Sequence, residues 1–216
     1  MNRAFILIGA GLFLTGCGTM NNALVEKQKN VEYYRIFDIK TSADRYEVAE
    51  AASNGLGRNV NSAKEATPIP TSSELPEEAG RFTLVNPFEG SKMGAFLGGG
   101  GSLGMKVATC DGAAWTASAV RSIAGSSDLK LTACLWPYKE GYHLDTYATF
   151  TKTEGGLMQI SRSMASAMVG TPEEWTEKTF LDIVRAIQSK TQADITYLEG
   201  YPKLSGTPWL DDHDSM

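Results

Sequence analysis

Hydrophobic and polar residues alternate along much of this chain, a pattern that predicts β-strands. Val31, Phe37 and Ile39 share one parity in a segment rich in β-branched and aromatic residues, which indicates a strand over 31–39. From residue 105 onward the alternation is persistent, and Gly-containing turn signals interrupt it four times. Four turns predict five strands, at 105–110, 113–123, 129–138, 142–151 and 157–168.

The strand predicted at 142–151 divides its residues into two sets. The even-numbered set is Leu144, Thr146, Ala148 and Phe150. The odd-numbered set is His143, Asp145, Tyr147 and Thr149. Such a division is typical of an antiparallel strand with one face in the core and one face in water. We therefore expect the odd-numbered set to lie on the wetter face of the sheet.

A first helix is predicted directly after the strand at 31–39. Val48, Ala52 and Leu56 recur at helical spacing, and Gly57 follows as a stop signal. Upstream, Thr41 has N-cap spacing to Asp44, so the helix is expected to begin at Thr41.

A second helix has the clearest start signal in the chain. Thr171, Pro172 and Glu174 have the spacing of a capping box with proline at the first helical position. A broad apolar arc follows, made of Phe180, Leu181, Ile183, Val184 and Ile187. This pattern matches a helix that packs on a sheet. Residues 193–198 then return as a strand.

Three segments interrupt these elements. Prolines 68, 70 and 76 stand among polar residues in 59–80, which predicts a long surface connection that is functional, partly disordered or a boundary. Phe82–Val85 is a short strand candidate. The Gly-rich segment 94–104 is expected to be a mobile loop, because glycine is entropically costly in helices and strands.

Together the elements predict an α+β fold. We expect a two-layer sandwich, in which a largely antiparallel sheet of about 6–8 strands carries two helices on one face. A weak similarity in element order between Tyr34–Leu56 and Met158–Ile187 favours that placement of the helices. One domain over 31–200 and a C-terminal tail over 201–216 account for the chain.

Four residues at the N-terminal end, Leu14-Thr15-Gly16-Cys17, follow a short apolar run with Arg3 before it. The run, Ala4–Phe13, has the length of a secretory signal and is too short to span a bilayer. The pattern resembles the lipobox of bacterial lipoproteins. That resemblance implies removal of residues 1–16, acylation of Cys17 and a lipidated tether over 17–30. In that family the residue after the cysteine influences sorting, and Gly18 is not the aspartate associated with inner-membrane retention. This favours the outer membrane, where we expect the domain to face the periplasm.

Composition indicates a folded domain without affinity for nucleic acid. Hydrophobic residues make up 42% and charged residues 21% of the chain, close to globular averages. Removal of residues 1–16 would leave 19 basic and 25 acidic side chains. No run of lysines or arginines marks a phosphate-binding surface. The negative charge also opposes adhesion to anionic lipids, which leaves the acyl chains as the membrane-binding element.

Cys110 and Cys134 are an even pair in a chain expected to be exported, so we predict that they form a disulfide. A simple meander of 105–138 would hold the first and third strands about 9.6 Å apart, too far for that bond. The disulfide therefore requires a different order. Either 105–110 lies beside the strand of Cys134, or it crosses over from a loop.

Three groups of residues have some of the pattern of a chemical site. Gly99, Gly101 and Gly104 match G-x-G-x-x-G, but a predicted strand follows them instead of a helix, which favours a flexible loop over a nucleotide site. The acidic end, Asp211 to Asp214 with His213, is expected to be a soluble tail, because adjacent ligands on a free terminus converge poorly on a metal. No zinc-ligand spacing occurs. We expect no cofactor and no metal.

His143 and Asp145 point to the same face, and Ser161 or Ser163 could lie on the neighbouring strand. A hydrolase of that kind also needs an exposed nucleophile and an oxyanion hole, and the chain has no nucleophile-elbow sequence. The favoured hypothesis is a non-enzymatic, lipid-anchored protein that binds another protein or an envelope component. The alternatives are a periplasmic hydrolase that uses His143 and Asp145, and a small-ligand binder with 94–104 as its lid.

Overall fold

The computed structural model describes residues 27–70, 72–86, 106–122, 128–154 and 170–210. Within these ranges the chain forms two helices and eight strands. The helices are α1 (Arg45–Gly57) and α2 (Pro172–Thr191). The strands are β1 (Lys27–Lys40), β2 (Ala63–Ala66), β3 (Thr83–Val85), β4 (Val107–Thr109), β5 (Trp115–Arg121), β6 (Leu129–Tyr138), β7 (Gly141–Glu154) and β8 (Asp194–Tyr201).

Six of these strands form one antiparallel sheet in the order β2-β5-β6-β7-β1-β8. β1 and β7 pair along their whole length, from Lys27 opposite Glu154 to Lys40 opposite Gly141. The turn from β6 to β7 requires glycine at Gly141, because a Cβ there would lie 2.1 Å from the Ile39 carbonyl oxygen. Among the described strands, β3 and β4 pair only with each other, as a small second sheet.

Both helices pack on one face of the large sheet, which we call the inner face. Phe37, Leu135 and Leu144 on three adjacent strands share a single buried cluster with Leu56 of α1 and Phe180 of α2. The α+β class, the predominantly antiparallel sheet and the two helices on one face are therefore confirmed.

The helix starts show what the sequence predicted well and what it did not. α2 begins with the predicted capping box, in which the Thr171 hydroxyl accepts from the Glu174 backbone N–H and the Glu174 carboxylate accepts from the Thr171 backbone N–H. The predicted N-cap of α1 is wrong. Asp44 caps that helix by accepting from the backbone of Tyr46 and Glu47, because its carboxylate stands at the required spacing from those N–H groups.

Several predicted boundaries change. Residues 27–30 belong to β1 and not to the tether, since they pair with the end of β7. The predicted connection 59–80 contains β2, which pairs with β5. The tail predicted from residue 201 returns to the inner face, where Trp209 is buried against Phe37 and Tyr197. The predicted strand 157–168, the Gly-rich segment 94–104 and residues 1–26 lie outside the described residues.

Candidate functional site

The face of the large sheet opposite the helices, the outer face, is covered in its middle by the chain itself. We call residues 76–86 together with β4 the cover. Gly80 lies so close to the ring of Trp136 that a Cβ would stand 2.4 Å from one ring carbon. Phe82 contacts the rings of Tyr34 and Tyr147. The Lys139 backbone N–H donates to the Pro76 carbonyl, 3.0 Å away. The covered part of the outer face is therefore a second, smaller interior around Cys134 and Trp136.

A disulfide fastens the cover to the sheet. Cys110 follows β4 and is bonded to Cys134 of β6, with the two Cα atoms 5.6 Å apart. The hydroxyl groups of Thr83 and Thr109 hydrogen-bond across the small sheet at 2.7 Å. The predicted disulfide is confirmed, and the second of the two geometric alternatives applies. Cys110 reaches β6 from a layer above the sheet and not from a neighbouring strand.

Asp145 lies at the centre of this interface and is fully buried. One carboxylate oxygen accepts the backbone N–H of Phe82 at 2.9 Å. Burial raises the pKa of Asp145 to about 6, against the lowering effects of the Phe82 N–H and the Arg81 guanidinium. The Trp136 indole also lowers the pKa of Asp145. The two groups do not form a hydrogen bond, because Trp136 Nε1 and Asp145 Oδ1 both lack a hydrogen-bond partner among the described residues.

His143 lies on the same face of β7 but interacts with different partners. Its Nε2 is 3.7 Å from Asp38 Oδ1, and the Tyr138 hydroxyl donates to that same oxygen at 2.6 Å. The rings of Tyr138 and His143 meet edge to face. Burial lowers the pKa of His143, while the Asp38 carboxylate raises it and the Arg81 guanidinium lowers it. Burial thus disfavours the protonated imidazole within this small polar cluster.

Over residues 142–150, the outer face of β7 is wetter than its inner face only at His143 and Thr149, which are half-buried. The odd-numbered side chains of β7 do share a face, but Asp145 and Tyr147 on it are buried by the cover. His143 contacts Asp38, whereas Asp145 binds the backbone of the cover. The two residues therefore do not form the pair that a hydrolase triad requires. Ser161 and Ser163 lie outside the described residues, as does the acidic end 211–214.

Sequence reasoning missed the partners Asp38, Tyr138 and Phe82, although a signal for a covered face was present. Aromatic residues occupy the outer parity of three adjacent strands. They are Tyr34, Trp136, Tyr138 and Tyr147. Aromatic side chains bury large areas, so a concentration of them on one face favours burial of that face over exposure to water.

The two outermost strands of the large sheet differ in character. β2 has four residues, and its central Lys64 and Glu65 are exposed charges. β8 has eight residues and exposes Leu198 by 47% and Tyr201 by 60%. Among the described strands β8 pairs only with β1, and the register shifts at Leu198. Short, charged edges resist pairing with other chains, whereas a longer edge that exposes apolar residues, as β8 does beside Asp194 and Glu199, is more open to it.

None of the helices in the described ranges combines the length and apolar character needed to cross a membrane. In the same ranges, His, Cys, Asp and Glu side chains form no group of three or more that could hold a metal ion. Comparison with known proteins finds no matching family model, no matching curated protein and no matching solved structure. Function has to be inferred from the chain's own residues.

Proposed function

We propose that this chain is a lipoprotein anchored in the outer membrane through Cys17, and that its α+β domain is a non-enzymatic module that binds another envelope protein. The lipobox-like sequence supports the anchor. The Cys110–Cys134 disulfide supports export, because such bonds form and persist in oxidising compartments.

The observation that carries the binding function is the exposed edge of β8. Its backbone has no second strand partner in the described part of the chain, and Leu198 and Tyr201 add exposed apolar area beside it. An extended segment of a partner protein can add to such an edge through backbone hydrogen bonds, with side-chain contacts providing selectivity. The opposite edge, β2, is short and charged and does not offer this.

The geometry favours binding over the hydrolase alternative. His143 and Asp145 are engaged with Asp38 and with the Phe82 backbone, respectively, beneath the cover. A catalytic pair would have to reach a substrate and the same nucleophile. Asp145 instead binds the second layer, and His143 contacts Asp38 within the large sheet. The small-ligand alternative depends on 94–104, which the structure does not describe.

The anchor is tested by acylation in cells. Radiolabelled palmitate should enter the wild-type chain and be lost completely from Cys17→Ala, and globomycin should block maturation of the wild type. Cys110→Ala/Cys134→Ala serves as the matched control, because it removes cysteines without touching the lipobox. Unlabelled wild type, or label that survives in Cys17→Ala, would reject the proposed anchor.

The binding surface is tested by a photoreactive amino acid placed at Leu198 or at Tyr201 in intact cells. Irradiation should give a discrete adduct, whose partner is identified by mass spectrometry and confirmed by reciprocal purification. A photoreactive residue at Lys64, on the opposite edge, is the control and should give none. Equal adducts from both edges, or no adduct from β8 in the acylated protein, would refute this surface.

A further inference from the structure

The Cys110–Cys134 disulfide is formed beside a buried negative charge. Cys134 of β6 stands directly opposite Asp145 of β7, and both side chains lie on the outer face. Directly opposite residues on antiparallel strands have Cβ atoms about 4.5–5.5 Å apart. Cys134 is 1% exposed and Asp145 is fully buried, so little solvent screens an interaction between them. Cys110 is only partly buried.

This placement determines how the disulfide can be reduced. A dithiol reductant attacks with one thiolate at Cys110 Sγ, the more accessible sulfur, and forms a mixed disulfide with it. The electron pair of the broken S–S bond leaves on Cys134 Sγ as a thiolate. The second thiol of the reductant then displaces Cys110, so that the reductant ends as a disulfide and the protein as two thiols. Exchange is slower when the leaving thiolate is less stable.

We propose that the Asp145 carboxylate protects the Cys110–Cys134 disulfide against reduction, by opposing the departure of Cys134 as a thiolate. The negative charge raises the free energy of the second negative charge that forms next to it in a buried site. Asp145 thereby keeps the cover fastened to the sheet in the presence of thiols, in addition to accepting the Phe82 N–H. This role is independent of the proposed anchor and partner.

The other charged groups near Asp145 are paired with one another or are disfavoured in their charged form by burial. Arg81 of the cover lowers the pKa of Asp145, but it is itself paired with Glu199 of β8. On β7, burial lowers the pKa of His143 and raises the pKa of Tyr147. Glu32, from β1, also raises the pKa of Tyr147 and is paired with Lys106. Asp145 remains the acidic group directly opposite Cys134.

The test is the rate of reduction by dithiothreitol at pH 8, followed by alkylation of the released thiols in the folded protein. Asp145→Asn should be reduced roughly tenfold faster than the wild type, as expected for loss of one buried charge on the residue directly opposite the leaving cysteine. Asp38→Asn is the matched control, because it removes a carboxylate from the same face that is not opposite Cys134. Its rate should stay within about twofold of the wild type.

A rate in Asp145→Asn that equals or falls below the wild-type rate would overturn the proposal. So would a wild-type rate that does not depend on dithiothreitol concentration, since opening of the cover would then control reduction. If Asp145→Asn does not fold, the test is the rate at which an uncharged trialkylphosphine reduces the disulfide of the wild type. In that reaction the phosphine takes an oxygen atom from water and becomes a phosphine oxide, and the protein is left with two thiols. Its rate, corrected for phosphine protonation, should rise as the pH falls through about 6, where Asp145 is neutralised. A flat profile would contradict the proposal.

Discussion

The backbone N–H of Phe82 donates to the fully buried carboxylate of Asp145 at 2.9 Å, so a chain segment outside the sheet is held by a charge inside it. The Phe82 ring contacts Tyr34 and Tyr147, which stand opposite each other on β1 and β7. The disulfide at Cys110 fastens the other strand of the small sheet. The outer layer is thus attached covalently, by one buried hydrogen bond and by aromatic packing.

The first prediction concerns the pH dependence of stability in Asp145→Asn. The folded pKa of about 6 lies above the ordinary value of 3.8, so Asp145 contributes full stability below that ordinary value. The contribution is lost as the pH rises through about 6. The free energy of unfolding of Asp145→Asn relative to wild type should therefore increase by up to about 3 kcal/mol between pH 4 and pH 7. Urea unfolding at a series of pH values measures this difference.

Subtracting the free energy of unfolding of the wild type from that of Asp145→Asn removes the effect of groups that titrate in both proteins. Burial lowers the pKa of His143, so its contribution to the free energy of unfolding decreases as the pH falls. The contribution of Asp145 changes in the opposite direction. His143 is present in both proteins and cancels to first order. A difference that is constant with pH would show that Asp145 does not titrate in this range.

The inner layer was more predictable from sequence than the outer layer. Apolar residues at helical spacing fixed α2, and alternation fixed β6 and β7, because both patterns follow from one side of an element facing one core. The outer layer depends on Phe82 and Cys110 in short elements with little periodicity of their own. Asp145 was recognised as a polar residue on one face, but its burial depends on what lies above it, which strand periodicity does not encode.

The second prediction concerns the contact between the helices. A Cβ at Gly55 would lie 2.5 Å from the Asp182 carbonyl oxygen and 2.6 Å from the Ile183 Cα, and both are backbone atoms of α2. Gly55→Ala should therefore force the helices apart and destabilise the protein by roughly 1–3 kcal/mol, despite alanine's better helix propensity. Gly57→Ala is the control, because nothing lies within 4 Å of a Cβ there. Thermal unfolding that ranks Gly55→Ala equal to Gly57→Ala would contradict the contact.

The third prediction concerns a charge that is buried on the inner face. Arg35 of β1 is 2% exposed and makes two hydrogen bonds to the Glu177 carboxylate of α2, at 2.5 and 3.3 Å. Glu177→Ala would leave the guanidinium buried without its anion. A loss of about 2 kcal/mol is expected, less than for a fully buried pair because Glu177 is a quarter exposed. Glu140→Gln removes the exposed partner of Lys40 and should change urea unfolding little.

The last prediction separates the two layers of the domain. Replacing Cys110 by serine and Cys134 by alanine opens a loop with a sequence separation of 24, which should lower the free energy of unfolding by about 3 kcal/mol. The helices and the inner core do not depend on this bond, since Phe37, Leu144 and Phe180 pack on the opposite face. The far-ultraviolet spectrum should therefore stay close to that of the wild type. Limited proteolysis should cut within residues 72–86, at sites that the wild type protects more strongly. Cleavage that began instead in α2 would show that the inner layer also depends on the disulfide.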